Sequence, residues 1–85
     1  MLQVFNSDDR GQVLTIFILR EAGTAEVIGQ VQPNDYLTSP HTGGEGRFLF
    51  RARRPDGSTF ESPVFNVVSG TYTWDIALRR VTRTR

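Results

Sequence analysis

Hydrophobic and polar residues alternate along most of this chain with a period of two. The alternation is clearest over residues 47–54, where Phe48, Phe50 and Ala52 fall on one side of an extended strand and mostly arginines fall on the other. No long stretch shows the period of about 3.6 residues that an amphipathic helix requires. The pattern therefore predicts an all-β protein.

Turn-forming residues divide the chain into short strands. The clearest hairpin turn is Pro55-Asp56-Gly57, because proline presets the turn dihedral and glycine accepts a positive φ. The predicted strands are residues 2–6, 12–20, 25–32, 47–54, 59–61, 64–68 and 71–79, with a further short extended piece at 36–39. Six to seven short strands at this spacing predict a small antiparallel β-sandwich, with a partly open barrel as the alternative. We expect one domain over residues 1–85, ending in a basic C-terminal arm at 79–85.

The predicted strand at residues 12–20 is apolar on both faces. One face carries Leu14, Ile16 and Ile18, and the other carries Val13, Phe17 and Leu19. A two-layer sandwich covers one face of each sheet and leaves the other to water, so this strand needs cover on both sides. A partner subunit would supply that cover, and so would closure into a barrel. We take Leu14, Ile16 and Ile18 as a candidate contact patch between subunits.

The net charge of +1 hides an uneven distribution. Residues 1–46 carry six carboxylates and two arginines, whereas residues 47–85 carry three carboxylates and eight arginines. Such halves suit head-to-tail contact between copies, or docking on an oppositely charged protein. All ten basic residues are arginine, whose planar guanidinium pairs bidentately with carboxylates or phosphates.

Two groups of arginines are candidate contact residues. The first shares one face of the strand at 47–54, and the second makes up the C-terminal arm that we expect to reach a neighbour. The two groups are Arg47, Arg51 and Arg53, and then Arg79, Arg80, Arg83 and Arg85. Nucleic-acid binders also use a basic strand face with aromatic residues beside it. Here the neighbouring Tyr72 and Trp74 alternate in phase with Ile76 and Leu78, which predicts core positions for them and weakens that alternative.

No catalytic or metal site is expected. The chain has no cysteine and one histidine, and His41 with its neighbours Asp35 and Glu45 makes a poor metal cage. The glycine-rich residues 43–46 are not followed by a helical pattern, as a phosphate-binding loop would be. We therefore expect a protein that is not an enzyme and that carries no cofactor or metal.

The remaining expectations concern location and function. Polar residues follow Met1 closely, and no apolar run is long enough to span a bilayer, which predicts a soluble protein without a signal peptide and without membrane insertion. We place it in the cytoplasm or in an assembled particle. The predicted function is a structural or protein-interaction module that self-associates or docks on a larger protein assembly such as a shell, fibre or particle. A nucleic-acid-binding β-domain that uses the arginine-rich face and tail is the alternative.

Overall fold

Nine short strands form two sheets in the computed structural model, which describes residues 1–21, 23–41 and 43–84. In chain order the strands are β1 (Leu2–Phe5), β2 (Leu14–Arg20), β3 (Ala25–Val31), β4 (Tyr36–Ser39), β5 (Gly46–Arg53), β6 (Thr59–Glu61), β7 (Phe65–Val67), β8 (Thr71–Asp75) and β9 (Arg80–Thr84). The prediction of an all-β fold is confirmed, and the strand at 36–39 has the predicted bounds.

The strands pair in two separate sheets. One has the order β4-β1-β8-β9, and the other has the order β3-β2-β5-β6, with β7 also paired to β5. Strands β6 and β7 lie end to end along the same side of β5, because β6 pairs with its C-terminal part and β7 with its N-terminal part. All neighbours are antiparallel except β1 and β8, which run parallel. The sandwich prediction is therefore confirmed, and the barrel alternative does not form.

Aromatic side chains fill the space between the two sheets. Trp74 of β8 is 1% exposed and stacks on Phe50 of β5, with ring centroids 5.8 Å apart and planes 12° apart. Phe65 of β7 stacks on the same phenylalanine at 5.1 Å. Offset stacking of this kind adds about 0.5–1.5 kcal/mol to the free energy gained by burying the rings. The contact between Trp74 and Phe50 thus joins the two sheets at the centre of the core.

The candidate contact patch on β2 is wrong. Leu14 and Ile16 are 0% exposed and Ile18 is 7% exposed, because the four-stranded sheet covers this face. The sequence showed that β2 needs cover on both sides, but it could not show that the second sheet takes this face. The opposite face of β2 is the one that lies on the outside of the sandwich.

The predicted strand at 71–79 and the C-terminal arm are also corrected. Strand β8 ends at Asp75, residues 76–79 turn, and β9 pairs back on β8. The turn is fixed by Ser7, whose hydroxyl donates to Asp75 Oδ1 at 2.6 Å and accepts the Ala77 N–H at 2.8 Å. Leu78 therefore does not continue the inward face of the strand and is 58% exposed.

A buried asparagine holds the two sheets together at the end of β1. Asn6 is 0% exposed, and its Nδ2 donates to the main-chain oxygens of Gln12 at 2.8 Å and Val31 at 3.3 Å. Its main-chain N–H donates to Asp35 O, and its own carbonyl accepts the Asn34 N–H. Asn6 thus ties β1 to the chain before β2 and to the turn between β3 and β4.

Replacing Asn6 should destabilise the fold more than its size suggests. Asn6→Ala leaves the carbonyls of Gln12 and Val31 without this donor, which should lower the free energy of unfolding by about 2–4 kcal/mol in urea denaturation. The matched control Asn66→Ala, at an exposed position of β7, should change it by less than about 0.5 kcal/mol.

Asn6→Asp is a sharper test of the same contact because it keeps the size of the side chain. At neutral pH a carboxylate would face two carbonyl oxygens, so this variant should be at least as unstable as Asn6→Ala. Burial against two carbonyl oxygens should raise the pKa of this carboxyl in the folded protein above the ordinary aspartate value of about 3.9. The deficit should therefore shrink as the pH falls from neutral towards about 3.9, because the folded protein takes up the proton first and the protonated carboxyl can donate again. An Asp variant as stable as wild type at pH 7 would contradict the hydrogen bonds assigned to Asn6.

Candidate interaction surface

The edges of the two sheets are the first surfaces to examine. Edge strands present unpaired main-chain N–H and C=O groups, which invite pairing with another chain unless they are protected. The described strands give four edges: β4 and β9 in one sheet, and β3 and the β6–β7 line in the other.

Two of these edges are interrupted, and a third is short. Between β6 and β7 lies Pro63, which has no N–H to donate, and the buried Ser62 bends the chain there by accepting the Phe50 N–H on its hydroxyl at 2.9 Å. Strand β3 carries a bulge opposite Ile16 and Phe17, next to Gly29 with a φ of 148°. Strand β4 has only four residues and is followed by Pro40.

Strand β9 is the longer of the two edges whose register is unbroken in the described chain. It has five residues without proline or glycine, and its register with β8 runs without a bulge from Thr71 opposite Thr84 to Asp75 opposite Arg80. A regular strand of this length offers a straight row of main-chain groups to another strand.

The hydrogen bonds of β8 decide which groups of β9 are free. The N–H groups of Tyr72 and Ile76 donate to Met1 O at 3.0 Å and Phe5 O at 3.3 Å, so this set of alternate residues directs its main-chain groups towards β1. In an antiparallel pair, the residues opposite such positions direct their own main-chain groups away from the partner. Val81 and Arg83 lie opposite Trp74 and Tyr72, so their N–H and C=O groups face the open edge.

The side chains of β9 are held within the protein. Arg83 donates from Nε to Ser69 O at 2.8 Å and from Nη2 to Ser69 Oγ at 3.0 Å. Val81 is half-buried against the core, and Thr82 lies opposite Thr73 on the outer face. The side chains of Val81 and Arg83, whose main-chain groups face the open edge, are therefore held by contacts within their own chain.

The arginines predicted on one face of β5 do share it, on the outside of the five-stranded sheet. Arg47 pairs with Glu21 at 3.1 Å, and Arg51 pairs with Glu61 at 2.6 Å. Arg53 places its guanidinium 5.3 Å from the centre of the Phe17 ring. Each of the three arginines therefore has a partner in its own chain, so fewer guanidinium N–H groups are free to bind a phosphate backbone.

The C-terminal arginines are not brought together as one arm. Arg79 lies in the turn with a φ of 55°, whereas Arg80 and Arg83 belong to β9 and point to opposite faces of its sheet. Arg85 lies outside the described residues. The outer face of β2 and of its neighbours β3 and β5 also carries apolar side chains, which the distribution of charge in the sequence did not identify as candidate contact residues. They are Phe17, Leu19, Val27 and Leu49.

The histidine and the acidic side chains are not gathered into a metal site in the described part of the chain. Residues 1–21, 23–41 and 43–84 contain no group of three or more histidine, cysteine or acidic side chains placed to hold a metal ion, and none of them forms a helix that could cross a membrane. The ring of His41 contacts Gly44 O at 2.7 Å and packs against Phe48.

Comparison of the chain with models of protein families, with curated proteins and with solved structures finds no match. The function is therefore argued from the surfaces alone.

The pairing of Arg51 with Glu61 gives a stability prediction. Both side chains are partly exposed, at 35% and 45%, so a double-mutant cycle of Arg51→Ala and Glu61→Ala should give a coupling of about 0.5–1 kcal/mol in urea denaturation. The matched control cycle of Arg53→Ala with Glu61→Ala should be additive, because Arg53 lies over Phe17. Equal coupling in both cycles would show that Glu61 interacts with Arg53 as strongly as with Arg51, which would contradict the pairing assigned to Arg51.

Proposed function

We propose that this chain is a non-enzymatic structural or protein-interaction module that associates with a second copy of itself through β9. The observation that supports the proposal is the difference between the edges: in the described chain two are interrupted, β4 has only four residues, and β9 is regular over five, with the main-chain groups of Val81 and Arg83 facing outwards.

A two-fold axis beside Thr82 gives the best register for an antiparallel contact. Val81 then lies opposite Arg83 of the second copy, and each such pair exchanges two main-chain hydrogen bonds, as the outward direction of their N–H and C=O groups requires. In the same register Arg80 faces Thr84 of the second copy. Within β9 no arginine lies directly opposite another arginine, so the paired strands avoid the least favourable charge pairs.

The contact should be weak when it acts alone. Main-chain hydrogen bonds contribute about 1 kcal/mol each after exchange with water, and association costs several kcal/mol in lost freedom of movement. The pairing would nevertheless join two four-stranded sheets into one continuous sheet. It would leave the arginine face of each five-stranded sheet free for further contacts, as a component of a larger assembly needs.

Salt distinguishes this proposal from nucleic-acid binding. Arg80 and Arg83 of both copies gather near the two-fold axis, so screening by salt should maintain or strengthen self-association. Binding to DNA or RNA weakens steeply with salt because bound counterions are released. A complex with nucleic acid that forms at low salt, with no self-association at any salt concentration, would favour the alternative function.

The test is light scattering and sedimentation of the purified chain from about 10 µM to about 1 mM, the range expected for a weak contact. Wild type should show a concentration-dependent dimer. Arg83→Pro removes the outward N–H and should yield a monomer, because this N–H plays no part in pairing with β8. The matched control Arg83→Ala loses only the side-chain contact with Ser69 and should still dimerise.

Two results would overturn the proposal. One is a wild-type monomer throughout this range, and the other is a dimer that Arg83→Pro leaves intact. The fold of each variant is checked by circular dichroism and urea denaturation, so that loss of association is separated from loss of structure.

A further inference from the structure

A groove opens at the end of the sandwich where β6 and the turn after β8 approach the chain that follows β1. Its volume is about 650 Å³, which is in the range of small-molecule sites. Its apolar lining includes Phe60, Pro63, Trp74 and Ile76, and its polar lining includes Asp8 and Arg54. None of these residues belongs to the edge on which the proposed function rests.

Three residues that line the groove carry buried polar atoms without a hydrogen-bond partner. Among the described residues four buried side-chain atoms lack such a partner, and three of them belong to lining residues: Asp8 Oδ2, Arg54 Nε and Trp74 Nε1. A buried polar atom left without a partner destabilises the fold, so several of them in one place need a physical reason. A ligand that supplies the missing partners is one.

The three atoms define the chemistry of that ligand. Arg54 Nε and Trp74 Nε1 are donors and require an acceptor, whereas Asp8 Oδ2 requires a donor. The groove is also lined by Asp9, Arg79 and Glu61, of which Glu61 is neutralised by Arg51 at 2.6 Å. The remaining two carboxylates and two guanidinium groups balance, so the lining favours a ligand with no net charge.

We propose that the groove binds a free α-amino acid with an apolar side chain. Its carboxylate accepts from Arg54 Nε and Trp74 Nε1, its ammonium group donates to Asp8 Oδ2, and its side chain lies against Phe60 and Pro63. A zwitterion is the small molecule that supplies an anionic acceptor and a cationic donor together while carrying no net charge.

Arg54 is the side chain of the lining that we expect to move when a ligand binds. Its guanidinium lies 4.2 Å from the centre of the Phe60 ring, and its polar contact is to Ser58 Oγ at 3.4 Å. The unpaired atoms are closed off from solvent by the surrounding side chains, so a ligand reaches them only after the lining rearranges. In the proposal the Arg54 side chain shifts to admit the ligand and then closes over it, which brings Nε to the ligand's carboxylate.

Trp74 provides a direct reporter, because it is the only tryptophan in the chain. In ¹⁵N-labelled protein its indole gives a single N–H signal, which should move downfield when Nε1 gains an acceptor. Titration with L-leucine should shift this signal and the Arg54 Nε signal together, in a saturable way, with a Kd of about 1 mM or tighter.

Two analogues of leucine test the zwitterion. 4-Methylpentanoate lacks the ammonium group and 3-methylbutylamine lacks the carboxylate, and each should bind at least about tenfold more weakly than leucine. Asp8→Asn and Arg54→Gln should weaken leucine binding to a similar extent. The matched control Arg53→Gln changes the neighbouring arginine, which lies over Phe17 on the outer face, and should leave binding unchanged.

The analogue series decides the proposal even if a variant fails to fold. An indole signal that does not move with leucine up to about 20 mM would overturn the proposal, because a site that pairs both charged groups of leucine should bind it with a Kd of about 1 mM or tighter. Equal binding of leucine and either analogue would also overturn the proposal, because the site would then not recognise both the ammonium group and the carboxylate.

Discussion

The stacking of Trp74 on Phe50 connects a central strand of each sheet, and much of the molecule depends on its position. Because Trp74 points inwards, its neighbours Thr73 and Asp75 point outwards, and the main-chain groups of alternate residues in β8 face β1. The same alternation fixes which groups of β9 remain free. A shift of β8 by one residue would expose the tryptophan and would change which main-chain groups of β9 face the open edge.

Hydrogen bonds at the end of β1 hold this arrangement in register. Asn6 binds the chain before β2 and the turn after β3, and Ser7 binds Asp75 and Ala77 at the start of the turn that follows β8. The two adjacent residues therefore connect elements that lie far apart in sequence. They explain why the chain turns after Asp75 although its apolar pattern continues, and why β9 lies beside β8.

The alternation of residue types predicted the fold class and the position of most strands, because burial of one strand face leaves a local signal in the sequence. Residues 47–54 gave both the inward phenylalanines and the outward arginines of β5. The turn after β8 left no local signal, since its fixing residue, Ser7, is 70 positions from Ala77. For β2 both faces are apolar, so the sequence could not say which one the other sheet covers.

The candidate surfaces were less predictable still. The arginine face was visible in the sequence, but its partners Glu21 and Glu61 follow from strand pairing. The open edge depends on the direction of main-chain hydrogen bonds, which residue types do not encode. The groove brings together Asp8, Arg54 and Trp74 from three distant parts of the chain, so only the fold reveals that three residues with unpaired atoms line the same groove.

Amide hydrogen exchange, followed residue by residue at low and high protein concentration, tests the central claim most directly. If β9 pairs with a second copy, the amides of Val81 and Arg83 should exchange more slowly as concentration rises, while amides on the other edges, β3, β4 and β6, stay unchanged. Exchange at Val81 and Arg83 that is independent of concentration up to about 1 mM would contradict pairing through this edge.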